Sequence, residues 1–112
     1  FAGMFTDRGN NTIESTVEQA MPVDGTLSQF RVTLRGISTP GTGNGYRFTV
    51  RKNGADTAVH CDVTDSASTC SDTTDTATFA AGDLISVSIT VAPSFNNPGQ
   101  KALQGGWSAQ LG

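Results

Sequence analysis

The sequence predicts an all-β domain whose antiparallel strands stack as a sandwich or barrel, and three observations carry that expectation. Apolar and polar residues alternate with period two in run after run. Clusters of Gly, Asn, Asp and Pro interrupt those runs, often about ten residues apart, a spacing that implies roughly eight strands. Thr, Ser and Gly account for 16, 10 and 13 of the 112 residues, and such β-branched and small side chains suit half-solvated strands joined by tight turns.

The elements follow in order. Ile13, Val17 and Met21 take odd positions around Glu14, Thr16 and Glu18. In QFRVTLR, Phe30, Val32 and Leu34 alternate with Arg31, Thr33 and Arg35, and in YRFTVR, Tyr46, Phe48 and Val50 alternate with Arg47, Thr49 and Arg51. Ile85, Val87, Ile89 and Val91 alternate with Ser86, Ser88 and Thr90, and Trp107, Ala109 and Leu111 close the chain around Ser108 and Gln110. One face of each strand is expected in the core and the other in water. Asp24-Gly25, Pro40 to Gly45, Asn53-Gly54, Gly82-Asp83 and Asn96 to Gly99 supply the reversals. No segment requires a helix.

A chain of 112 residues suits one domain with one core, and a single domain over residues 1–112 is expected. It opens on Phe1 rather than Met, so its true start, and any delivery signal, is expected upstream. No apolar run approaches the eighteen or so residues of a membrane span, so membrane insertion is not expected. The net charge is −3, and the basic residues form no dominant tract. Nucleic acid is therefore a poor partner, because phosphate neutralisation needs clustered Lys and Arg.

Cys61 and Cys70 flank DVTDSAST, whose Asp65-Ser66 centre reads as a hairpin tip that would set the cysteines face to face. The even count and short spacing favour a disulfide over two thiols or half of a metal site, and so a life outside a reducing cytoplasm.

The succession GTLSQFRVTL, YRFTVRKNGADTAVHC, TFAAGDLISVSITV and GGWSAQL resembles the bacterial and phage domains similar to the tumour-necrosis-factor and complement-head jelly rolls. The resemblance implies a two-sheet antiparallel jelly-roll sandwich that assembles as a homotrimer. It further implies display on a virion, spore or cell surface, among other virion or surface-layer proteins. In such trimers apolar side chains of the terminal strands meet near the threefold axis. By position, Phe1, Met4, Phe5, Trp107 and Leu111 are the candidates here, with completion of the monomer's own core as the alternative for all five, Trp107 and Leu111 above all. The chain carries no Gly-X-Y repeat, so a collagen stalk is not part of the expectation.

Chemistry is sparse. A hydrolytic triad needs nucleophile, base and orienter, yet His60 is the one histidine and sits beside a disulfide cysteine. No catalytic residue, cofactor or metal is expected. Asp62, Asp65, Asp72 and Asp75 could supply oxygens to calcium, but the twelve-residue loop signature is absent and Asp-rich turns already account for them. Asn10-Asn11-Thr12 matches a glycosylation sequon. Arg31, Arg35, Arg47 and Arg51 could face Glu14 and Glu18, a neighbouring subunit's acids, or an anionic glycan. The leading function is a structural module on an extracellular particle. The alternative is a carbohydrate- or receptor-binding tip built on loops 36–45 and 92–100, with Phe95, Asn96 and Asn97 as its ligand loop.

Overall fold

The structure, a computed structural model, describes residues 2–7, 13–14, 19–35, 40–96 and 103–112, with side chains for 19–35, 40–96 and 105–112. The described residues form ten strands and no helix. They are β1 (Ala2–Asp7), β2 (Ile13–Glu14), β3 (Gln19–Ala20), β4 (Gly25–Leu34), β5 (Gly41–Lys52), β6 (Ala55–Asp65), β7 (Thr69–Asp72), β8 (Ala77–Phe79), β9 (Leu84–Val91) and β10 (Leu103–Leu111).

Two antiparallel sheets face one another. The first runs β1-β10-β4-β7, with β8 continuing β7 along the same side of β4; the second runs β2-β9-β5-β6, with β3 continuing β2 along β9. Joining those collinear pieces leaves eight strand positions. First pairs with last (β1·β10), the β2/β3 pair with β9, β4 with the β7/β8 pair, and β5 with β6. This is one long antiparallel ribbon rolled into two layers, the jelly-roll topology.

The core lies between the layers, as the alternation requires. Phe30, Val32 and Leu34 of β4 meet Phe48 and Val50 of β5, Val59 and Val63 of β6, and Ile85, Val87 and Ile89 of β9, all almost fully buried. Phe30 packs against Trp107 with ring centroids 6.0 Å apart and the planes tilted by 47°. The β5–β6 hairpin turns on Asn53 and Gly54, both at positive φ (52° and 82°), the pair of left-handed residues a type I′ turn demands. The expected polar face of β9 is less open than its serines suggest: Ser86 and Ser88 are buried, beside Thr49 of β5.

Strand β4 changes phase within itself. Leu27 points inward, and so do Phe30, Val32 and Leu34, a three-residue step where strict alternation allows two. Between the ladder pairs Ser28↔Gln110 and Arg31↔Ser108, β4 carries one residue more than β10. Gln29 absorbs the surplus at φ 54°, making a β-bulge whose left-handed position is held by a residue with a Cβ.

Candidate functional site

The strongest local construction is at the open side of the sandwich, where β6 ends one sheet and β7 the other. The expected hairpin between Cys61 and Cys70 is not what forms. β6 pairs with β5, β7 pairs with β4, and the chain between them arches from one layer to the other. Asp65 adopts φ 55°, Ala67 N donates to Thr64 O at 3.0 Å, and Leu34 N donates to Ser68 O at 2.7 Å. Asp-Ser turn chemistry reverses a chain either way, and here the reversal carries it across the core.

The disulfide is present and therefore joins the two sheets. Cys61 and Cys70 have Cα atoms 5.7 Å apart, within the usual range for a bridge. Beside it Asp72, 6% exposed, makes a second tie. Its Oδ2 accepts the backbone N–H of His60 at 3.0 Å, and its Oδ1 accepts from Thr74 N (3.1 Å), Asp75 N (3.0 Å) and Thr74 Oγ1 (3.3 Å). Burial pushes the Asp72 carboxyl up, but the backbone donations from Asp75, His60 and Thr74 outweigh it and hold it at about 2. Asp75 moves the other way, raised chiefly by its hydrogen bond with Asp72.

His60 joins the same cluster. A carbonyl oxygen only accepts, so in the 2.9 Å contact between Nδ1 and Ala58 O the ring nitrogen is the donor. His60, Asp72 and Asp75 each bring a ligand atom within 4.8 Å of the others. Asp72 already accepts four hydrogen bonds, so a turn-and-edge clasp accounts for the arrangement. Of the four aspartates considered for calcium, Asp72 and Asp75 stand together, whereas Asp62 pairs with Arg47 and Asp65 Oδ1 accepts Gly43 N at 2.8 Å.

Two of the arginines, Arg47 and Arg51, find partners across the β5–β6 ladder. Arg47 forks onto Asp62, Nε to Oδ1 at 2.8 Å and Nη2 to Oδ2 at 3.1 Å, directly opposite in register. Arg51 meets Asp56 at 3.3 Å and donates to Gly54 O. The side chain of Glu14 and all of Glu18 lie outside the described residues.

Residues 41–45, expected in a loop, instead form the irregular start of β5, and they meet residues 92–96 at one end of the sandwich, through Asn96 N to Gly43 O (2.9 Å), Gly45 N to Asn96 O (3.2 Å) and Ala92 N to Gly45 O (3.0 Å). A Cβ on Gly45 would stand 3.0 Å from side-chain atoms of both Ala92 and Thr64, so any larger residue there would have to push its neighbours aside. Phe95 is half-buried in this junction, Asn96 is exposed, and Asn97 lies outside the described residues. Of the terminal residues, Trp107 belongs to the monomer's core and Leu111 packs against it. Met4 and Phe5 stand opposite Gly106 and Gly105 in the β1·β10 ladder; their side chains, and Phe1, lie outside the described residues.

The fold and its tied edge define a disulfide-stapled jelly-roll sandwich. Neither the models of known protein families nor the curated proteins give a match to this sequence.

Proposed function

We propose that this chain is a non-enzymatic structural module, a homotrimeric jelly roll that decorates or stabilises an extracellular particle such as a phage capsid, fibre, or spore or cell surface. The observation that carries the reading is the double tie between β6 and β7. Sandwich edges are where layers part and where unpaired backbone groups recruit other chains. Here a covalent bridge and a buried carboxylate hold the edge shut. A disulfide persists in oxidising surroundings, and a domain mounted outside a cell benefits most from a fold that does not open there. The trimer is what the sequence resemblance implies for a jelly roll of this kind.

Light scattering on the full chain at micromolar concentration tests the assembly. The expected mass is about three times the 11.6 kDa chain. A monomer at every concentration tried overturns the trimer and, with it, the proposed mode of display.

A further inference from the structure

On the outer face of the first sheet, the bulge in β4 opens a hollow of ≈ 430 Å³. Register defines its walls. Arg31 is paired with Ser108 on one side and Ser71 on the other, so a long cationic side chain rises between two short hydroxyls. One step along, Gln29, Gln110 and Thr73 line the same hollow. All six side chains are exposed. Whereas Arg47 and Arg51 have carboxylate partners, Arg31 has no acidic partner among the described residues.

We propose that this hollow is a binding subsite for a carboxylate-bearing saccharide, with Arg31 receiving the carboxylate and the surrounding amides and hydroxyls receiving the sugar hydroxyls. Three features select this class. Guanidinium matches carboxylate as a two-pronged fork. Gln and Ser or Thr side chains both donate and accept, as sugar hydroxyls do. The ligand must be read through side chains alone, because β4 is central and its backbone is paired to β10 and β7 on both sides. An extended peptide adding a strand would need a free edge.

The bulge belongs to the site. Gln29 sits at φ 54°, a conformation uncommon for a residue with a Cβ, and strained positions gather where ligands are held. Glycine would meet the backbone requirement of the phase change at less strain. Glutamine at this position adds an amide to the hollow. This subsite goes beyond the structural role and does not depend on the trimer.

The test is a titration of the isotope-labelled full chain followed by amide chemical shifts, with tetragalacturonate as the probe, maltotetraose as the neutral sugar and tetraglutamate as the acidic peptide. The expected result is saturable shifts at residues 29–31, 71–73 and 108–110 with tetragalacturonate alone. Arg31→Ala should weaken binding at least tenfold, and Arg31→Lys should restore only part of it. Gln29→Gly should keep the fold and weaken binding, a pairing that separates ligand contact from misfolding. Absence of saturable shifts overturns the proposal, as do equal responses to maltotetraose or to tetraglutamate, or unchanged binding by Arg31→Ala. So does a hollow covered by a second copy of the chain, seen as amides that respond to protein concentration and not to sugar.

Discussion

The Asp72 carboxylate, on the edge strand of one sheet, accepts the backbone N–H of His60, on the edge strand of the other, at 3.0 Å. One side chain thus caps an edge donor, closes the turn through Thr74 and Asp75, and ties the layers next to the Cys61–Cys70 bridge. A short acidic residue serves all three because two carboxylate oxygens offer about four acceptor sites.

Asp72→Ala should therefore be costly out of proportion to its size. It strips the acceptor from three backbone N–H groups around a buried position, and leaving such donors unmade costs about 2–4 kcal/mol. Urea unfolding measures the difference. His60→Ala keeps the backbone N–H, so its cost should stay below about 1 kcal/mol. Equal losses in the two variants would mean that the imidazole, not the Asp72 contact, holds the edge.

Acid should loosen the same clasp. The folded Asp72 carboxyl sits at about 2 against an ordinary 3.8, so its contribution is complete above 3.8 and disappears as pH falls through about 2. The difference corresponds to roughly 2 kcal/mol. Asp83 is shifted in the same direction, by accepting Ala80 N–H and then by Asn53. Asp75, raised, contributes with the opposite sign: its share is present at low pH and lost as pH rises. Urea midpoints across this acid window should fall for the native chain and fall less for Asp72→Ala. Parallel slopes would assign the acid loss to other groups.

Removing the bridge should cost about 3 kcal/mol on the chain-entropy estimate for a loop of this length, since Cys61 and Cys70 are nine residues apart. Alkylation of native protein without reductant should label neither cysteine, and the Cys61→Ala, Cys70→Ala double variant should unfold at lower urea. Two labelled cysteines in fresh material would contradict the bridge.

The strands and the cysteine pair were legible because each is written locally: Tyr46, Phe48 and Val50 declare their face by alternation, and Cys61 and Cys70 lie close in sequence. The arch was not, since Asp65-Ser66 reverses a chain without specifying whether it returns to its own sheet. The convergence of His60 with Asp72 and Asp75 depends on that arch and was equally hidden. Gln29 did leave a signal. Leu27 and Phe30 both face inward three residues apart, and a phase jump inside a strand requires an extra residue between them. The Arg31 hollow follows from that jump, which becomes visible only when inward positions are counted against a partner strand.

Tyr46 offers a simple check on the core. It is 3% exposed, and its hydroxyl has no hydrogen-bond partner among the described residues; burial raises its pKa. A buried hydroxyl without a partner carries a desolvation penalty of about 1–3 kcal/mol. Tyr46→Phe keeps the ring that packs 6.1 Å from Phe48 and removes the penalty, so thermal unfolding should be unchanged or shifted upward. A clear loss of stability would reveal a partner for the hydroxyl.

Gln29→Gly should stabilise the fold. Gln29 is exposed and holds φ 54°, where a Cβ costs about 1 kcal/mol or more and glycine is at ease. Against this, glycine loses more backbone entropy on folding, a term of about 0.5–1 kcal/mol. The balance favours the variant by a few tenths to about 1 kcal/mol, readable as a raised urea midpoint at constant slope. Gln29→Ala, which keeps the Cβ and removes the amide, should leave stability close to native. If Gln29→Gly is instead destabilised by more than about 1 kcal/mol, the glutamine side chain itself holds the bulge in place and its conformation is not strained.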